Sequence, residues 1–192
     1  LANYLTVCKV DPAALADPDA KIEWPDAIHV IGKDILRFHA VYWPAFLLAA
    51  GIKLPKTILV HGHWQVDGTK MSKSIGNVVS PNSINRKHGN EALRYFLLRH
   101  GSLSQDGDFS ELALVTAFNS EVVNTYGNLL SRCLSKKVMK RDVLACQIQN
   151  PEGQQLYNKI TSLQDKVISL LESFHFAPAI EETMDVLRDT NV

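Results

Sequence analysis

Ala27-Ile28-His29-Val30-Ile31-Gly32 opens the part of the chain that decides the fold. A short apolar run with β-branched residues, ended by a glycine, reads as a buried strand. A second run of the same character follows at Lys56-Thr57-Ile58-Leu59-Val60-His61. Between them, from about Asp34 to Ala50, apolar residues recur at helical spacing, and Gly51 stops the pattern. Ile35, His39, Tyr42 or Trp43, and Phe46 are expected to share one face of that helix. Strand, helix, strand is the unit of a parallel α/β sheet, whose ligands gather at the carboxyl ends of the strands. Gly32-Lys33-Asp34 occupies one such end and His61-Gly62-His63 another.

Working outward, Trp64-Gln65-Val66 and Thr69-Lys70-Met71 flank Asp67-Gly68, a dipeptide suited to a two-residue hairpin turn. The returning arm carries Lys70-Met71-Ser72-Lys73-Ser74, and Gly68 and Gly76 on either side leave the backbone free to turn. The plain reading is a solvated basic hairpin tip. The chemical one is a loop that closes over an anionic ligand and points two ammonium groups at it. With a nucleoside triphosphate as ligand, a carboxylate attacking the α-phosphorus builds charge on the departing pyrophosphate, and catalysis is largely positioning and charge neutralisation.

Beyond the loop, Ser80-Pro81 opens a short helix stopped by Gly89, and Asn90 caps a second that ends at Gly101. Arg94 and Arg99 on it point to a solvated or RNA-facing side. Ser102 to Phe109 reads as a loop and a domain boundary. From Ser110 the pattern is helical. One helix runs to about Lys137, a second from Asn150-Pro151 to about Ser173, and a third from Pro178 to Asp189, giving an antiparallel bundle. Residues 1–26 read as irregular, punctuated by Asp11-Pro12, Asp17-Pro18 and Trp24-Pro25.

The bulk composition narrows the function classes. The chain has 192 residues, 46% hydrophobic and 21% charged, enough for a real core. Lys+Arg and Asp+Glu are both 20, so no global basic field advertises a nucleic-acid partner. The concentrated basic patch is Arg132, Lys136, Lys137, Lys140 and Arg141. Cys8, Cys133 and Cys146 lack C-x-x-C spacing, which points to a reducing compartment and away from a disulfide framework or a structural zinc site. No apolar run reaches membrane-spanning length, so no membrane partner is expected.

Individual residues admit two readings each. His39 on an apolar helix face is either a satisfied core histidine or a pocket residue. His61-x-His63 could suggest a metal pair, but no third ligand lies near in sequence, so packing is the better reading and no metal site is assigned. Asn124, Asn128 and Arg132, spaced i, i+4, i+8, form a polar stripe that is either a solvated face or a reader of unstacked bases. Asn and Gly127 are poor helix formers, so helix stability alone does not explain them.

The complete Lys70–Ser74 pentapeptide, followed by Gly76-Asn77-Val78-Val79 and then Pro81, resembles the ATP-binding signature loop of class I aminoacyl-tRNA synthetases. Its flanks resemble the methionyl-tRNA synthetases, mitochondrial and bacterial in type. The resemblance implies an α/β plus all-α chain: the second half of a Rossmann-type catalytic domain with a parallel sheet over residues 1–79, a connecting stem-contact helical segment over 80–109, and a truncated helical anticodon-binding bundle over 110–192. It implies that Lys73, assisted by Lys70, stabilises the triphosphate during adenylation, within an ATP-binding set of Lys70, Met71, Ser72, Lys73, Ser74 and Asp34. His29 to Ile35, Phe38-His39 and Trp43-Pro44 are similar to the methionine-pocket segment, so Ile35 and His39 would line a methionine slot with Trp43 in its wall. Asn124-Thr125-Tyr126-Gly127-Asn128-Leu129-Leu130-Ser131-Arg132 looks like the anticodon-reading helix, with Asn128 and Arg132 on the CAU anticodon and the neighbouring basic cluster on the phosphate backbone.

The family's His-Ile-Gly-His signature has no counterpart here, and its stacking tryptophan falls past Val192. The expectation is therefore a fragment of an enzyme that uses ATP with Mg2+ to activate methionine and transfers it to tRNA(Met). The piece alone should lack adenylation activity, which ATP–pyrophosphate exchange would reveal. A monomer in the mitochondrial matrix is expected, with the bacterial cytoplasm as the alternative. Rival readings are a leucyl, isoleucyl or cysteinyl enzyme, or a non-catalytic tRNA-binding fragment.

Overall fold

The computed structural model of the chain describes residues 1–8, 11, 13, 27–139, 148 and 150–191. Trp24, Lys140, Arg141 and Cys146 of the sequence reading lie outside these described residues. The chain forms two compact units: Leu1–His63 with Ser102–Asp106, and Trp64–Gly101 with Gly107–Val192.

In the first unit, β1 (Ile28–Gly32) and β2 (Thr57–His61) pair in parallel, in register from Ile28↔Thr57 to Gly32↔His61. The crossover is helical but not uniform. A 3-10 turn at Lys33–Ile35 leads to a π-helical turn at Phe38–Tyr42 and then to α2 (Trp43–Ala49). In the π turn the Trp43 N–H reaches the Phe38 carbonyl five residues back. The buried stripe is His39, Trp43 and Leu47. Of the residues expected on that face, Trp43 rather than Tyr42 is buried, while Ile35 and Phe46 are exposed, Phe46 by 62%.

Leu47 is the most enclosed of this cluster, at 1% exposure, and Ile52 completes its buried part. Tyr4, Leu5, Cys8 and Ala27 pack against it. That packing accounts for α1 (Asn3–Val7), a single turn where the sequence led us to expect irregular chain. A helix this short does not persist without tertiary contacts.

Gly62 then follows β2 because nothing larger fits: a Cβ there would lie 2.0 Å from the Gln105 carbonyl oxygen.

In the second unit, β3 (Trp64–Val66) and β4 (Thr69–Lys70) form the expected hairpin, with Val66 opposite Thr69. Asp67 and Gly68 both take positive φ, 50° and 66°, as a type I′ turn requires. The Gly68 N–H is braced by Asp108 Oδ1 at 3.0 Å. Asp108 belongs to β5 (Gly107–Asp108), which runs parallel to β3 and gives the sheet order β4-β3-β5. The sequence suggested a loop there, since a two-residue strand is too short to show periodicity.

Helices α3 (Pro81–His88) and α4 (Asn90–His100) follow, hinged at Gly89 with φ 86°. Asn90 is the first residue of α4, and the cap position falls to Gly89. Ile84, Ala92, Leu93, Phe96, Phe109 and Leu114 form the core of this unit.

The expected first bundle helix comprises α5 (Glu111–Ala117), a π-helical stretch Phe118–Gly127, α6 (Asn128–Cys133) and, after a break at Leu134-Ser135, α7 (Lys136–Met139). Ser110 caps α5 by accepting the Ala113 N–H at 3.3 Å. Helix α8 (Pro151–Glu172) is capped by Asn150, which accepts the Gly153 N–H at 2.8 Å. Its half-buried Leu156, Leu163, Val167 and Leu170 recur at steps of seven, four and three residues, which keep them on one helix face. Ala179, Met184 and Val186 are the buried residues of α9 (Phe176–Thr190), which begins two residues before Pro178. Among the described residues no helix is long and apolar enough to cross a membrane.

Replacing Gly62 by alanine should lower the urea midpoint through overpacking, at a cost of about 1–3 kcal/mol. Gly127→Ala meets only the Val122 carbonyl at 3.8 Å. It should leave the midpoint unchanged or raise it, since glycine in a helix costs about 1 kcal/mol relative to alanine. Tryptophan fluorescence during unfolding distinguishes the two outcomes.

Candidate functional site

Three clusters carry the candidate chemistry. In the first unit, His39 is 6% exposed, and both of its ring nitrogens have partners. Nδ1 lies 2.9 Å from the Ile35 carbonyl, which can only accept, so Nδ1 carries the proton. In the neutral ring Nε2 then accepts from the Tyr4 hydroxyl, also at 2.9 Å. Tyr4 lies in the middle of an aromatic cluster, its ring 4.5 Å from His29, 5.8 Å from His39 and 5.9 Å from Trp43. Burial pushes the His29 imidazole below its ordinary pKa, and the nearby His39 adds to the effect.

His39 and Trp43 are thus brought together around Tyr4, a residue that the sequence reading did not single out. Ile35 joins through its carbonyl, while its side chain is 43% exposed. Trp43 also lines an apolar cavity of about 260 Å³ with Leu1, Leu5, Phe46, Leu47 and Ile52.

Asp34, in the 3-10 turn that follows β1, lies 3.9 Å from His63 Nε2. Asp106 accepts from Lys33 Nζ at 2.7 Å and from the His63 N–H at 2.8 Å. These donors hold its carboxyl below the usual range. Lys33 and Asp106 are far apart in sequence, and no local pattern pairs them. His61 Nδ1 donates to the Gly62 carbonyl at 2.7 Å. Among the described residues no group of three His, Cys, Asp or Glu side chains could hold a metal ion.

The lysine loop belongs to the second unit. Met71 packs against the core formed by Ile84, Leu93, Phe96 and Phe109. It lines an apolar cavity of about 200 Å³ with Trp64, Val79, Leu93 and Leu97. Around it the backbone is hydrogen-bonded through side chains. The Ser72 N–H donates to Asn77 Oδ1 at 2.8 Å, and Asn77 Nδ2 donates to the Lys70 carbonyl at 3.2 Å. The hydroxyls of Ser72 and Ser74 lie 2.7 Å apart. The Ser72 carbonyl accepts the N–H groups of Ile75 and Gly76 at 3.2 and 3.0 Å. Lys70 and Lys73 are exposed, and among the described residues Lys73 ion-pairs with no carboxylate. The arrangement is an apolar anchor carrying two outward ammonium groups.

Asn128 and Arg132 converge at the end of α9. Asn128 Nδ2 donates to Asn191 Oδ1 at 3.4 Å, and Arg132 donates to the Asn191 carbonyl. Asn191 is itself fixed by donating to the Thr125 and Leu187 carbonyls at 2.9 and 3.1 Å. Asn124 lies on the π-helical stretch, four residues before Asn128. All three are exposed, as are Lys136 and Lys137.

Arg94 is exposed, whereas Arg99 does not lie on the solvated or RNA-facing side that the sequence suggested. It is half-buried between Glu121, at 3.0 Å, and Glu181. Tyr95 donates its hydroxyl to the same Glu121 carboxylate, and Arg188 binds Glu181 at 2.5 Å. Burial pushes the Glu121 carboxyl up. The Tyr95 hydroxyl and the Arg99 guanidinium more than offset this and hold it below its ordinary 4.5. Burial raises the Tyr95 phenol, and the Glu121 carboxylate raises it further.

A family model described as "tRNA synthetases class I (M)" matches residues 1–134. The chain belongs to this family. The probable mitochondrial methionine–tRNA ligase of Dictyostelium discoideum is 41% identical over all of this chain and 34% of its own length. The methionine–tRNA ligase of Rhizobium meliloti (strain 1021) is 51% identical over 74% of this chain and 27% of its own. Mitochondrial and bacterial relatives therefore both match. The Mycobacterium tuberculosis methionyl-tRNA synthetase solved in complex with methionyl-adenylate superposes with a TM-score of 0.79 at 39% identity, covering 90% of this chain and 35% of that one. The chain spans about a third of the length of the curated relatives it matches. Its parallel α/β unit and helical remainder are the architecture expected from the sequence.

The Glu121 and Tyr95 shifts have a pH signature. Glu121, depressed in the folded state, contributes stability above its ordinary 4.5 and loses it as pH falls through the lowered value. Tyr95, raised, contributes below its ordinary 10.0 and loses it as pH climbs through the raised value. Urea midpoints should therefore plateau between those limits. Glu121→Gln should flatten the acid limb, and an acid limb of unchanged steepness would contradict the assignment.

Proposed function

We propose that this chain is the part of a methionine–tRNA ligase that neutralises the departing pyrophosphate, lines the methionine slot and reads the anticodon. In that reading 1–79 is the C-terminal part of the catalytic domain, 80–109 the stem-contact segment and 110–192 the anticodon bundle. Methionine's carboxylate oxygen attacks the α-phosphorus of ATP, and the bond to the β-phosphate's bridging oxygen breaks. Lys73, with Lys70 beside it, meets the charge that develops on the leaving group. The observation that carries this is the exposed Lys73 ammonium on a loop anchored by Met71 and closed by Asn77.

Ser72 and Ser74 shape the loop, and Asp34 faces the adenosine moiety. Ile35, His39 and Trp43 hold the thioether side chain, which is apolar and polarisable. With His39 bonded on both nitrogens, the ring serves as a fixed wall and its edge meets sulfur. Mg2+ arrives with ATP, since the ion keeps its waters and rides on substrate phosphates. Asn124, Asn128 and Arg132 read the CAU anticodon of tRNA(Met), and Lys136 and Lys137 hold its backbone. A ligase of this kind acts as a monomer in the mitochondrial matrix. The mycobacterial neighbour's bound methionyl-adenylate and the family match support the reading.

The test uses a ligase carrying this chain in its matching place. Lys73→Ala should lower kcat for ATP–pyrophosphate exchange about 100- to 1,000-fold with KM for methionine unchanged. An unaltered kcat contradicts the proposal. Arg132→Ala should weaken binding of CAU-bearing tRNA by about 1–3 kcal/mol and leave exchange untouched. Equal losses for CAU and non-CAU tRNA in filter binding would argue against base reading.

A further inference from the structure

We infer that Asn77 is a positioning residue for Lys73: its side-chain amide fixes the base of the lysine loop so that the ammonium is held at the polyphosphate. The inference rests on the role proposed above for Lys73. Asn77 lies outside the lysine pentapeptide, and its side chain spans the backbone on both sides of Met71. Oδ1 accepts the Ser72 N–H at 2.8 Å, while Nδ2 donates to the Lys70 carbonyl at 3.2 Å.

One planar amide, with a donor and an acceptor at fixed separation, thus takes the place of a neighbouring strand. It continues the ladder just where β4 ends at Lys70. An aspartate lacks the donor, and a serine cannot hold both contacts in one plane. Gly76, with φ 77°, turns the chain so that Asn77 comes back to the loop base. The Ser72 carbonyl takes the Ile75 and Gly76 N–H groups inside the same ring. From Ser72 to Asn77 Lys73 is the one cation in the sequence, so the amide closes a small ring that carries a single outward charge.

The geometry separates two roles. A residue that only forms a turn would contribute stability, and its loss would act independently of Lys73. A residue that aims Lys73 has nothing left to aim once that ammonium is gone, so the two substitutions must be non-additive.

The experiment measures methionyl-adenylate formation per active site in a ligase carrying this chain in its matching place, with active sites counted by the adenylate burst. Asn77→Ala and Asn77→Asp are each made alone and together with Lys73→Ala. Asn77→Ala should slow adenylate formation about tenfold or more with KM for methionine unchanged, since small misplacements of a catalytic group have effects of this order. Asn77→Asp, which keeps the acceptor but sets an anionic oxygen against the Lys70 carbonyl, should slow it at least as much. In the Lys73→Ala background either change should add less than twofold. Slow Lys73→Ala with an unchanged or fully additive Asn77→Ala overturns this inference alone. An unchanged rate in Lys73→Ala overturns the function proposed above, and this inference with it.

Discussion

Met71 packed on the apolar core of the second unit is the contact from which the candidate chemistry takes its geometry. A lysine loop of short polar residues has no interior of its own, so something in it must be tied to a core. Here the tie is the central methionine, and its neighbours are the residues whose charge matters. Lys70 precedes it at the end of a braced hairpin, and Lys73 follows two positions on, past the Ser72–Asn77 contact. Burying a methionine contributes about 1.5–3 kcal/mol when complete, and proportionately less for a half-buried one. That is enough to locate a loop without freezing it.

A second constraint operates through polar groups. Tyr95 and Arg99 on α4 share the Glu121 carboxylate from the π-helical stretch, and Arg99 continues to Glu181 on α9. The helix whose Leu93 and Leu97 line the Met71 cavity is thereby joined by charge-assisted hydrogen bonds to α9, the helix that Asn191 caps. Removing one partner leaves a half-buried charge, which costs more than the pair gains. The network consequently specifies how these helices meet more than it adds to their stability.

The strand–helix–strand core and the hairpin were legible in the sequence because each rests on a local rule. Asp67-Gly68 demands a particular turn, and the two apolar runs leave few alternatives to parallel strands. The pentapeptide was legible as a motif, but its physical support was not. Asn77 reads as one more polar residue after a glycine, although an Asn returning to a loop base is the signal that could have marked it. The Tyr4–His39 and Lys33–Asp106 contacts join residues 35 and 73 positions apart, beyond any periodic pattern. Two π-helical stretches defeated helical arithmetic. They interrupt the α-helical spacing from which the faces were read, and Phe46 lies exposed rather than on the buried face. Arg99 was misread because an amphipathic pattern marks where a side chain lies, and the carboxylates that meet it come from distant helices.

The most direct test of the central claim is a crystal structure of a ligase carrying this chain, with methionine and a non-hydrolysable ATP analogue bound. The account predicts that Lys73 Nζ lies within about 3 Å of a β- or γ-phosphate oxygen, a charge-assisted hydrogen bond. It also predicts that Met71 still packs on Leu93 and Phe109. A Lys73 side chain pointing into solvent, with the triphosphate held by other groups, would contradict it.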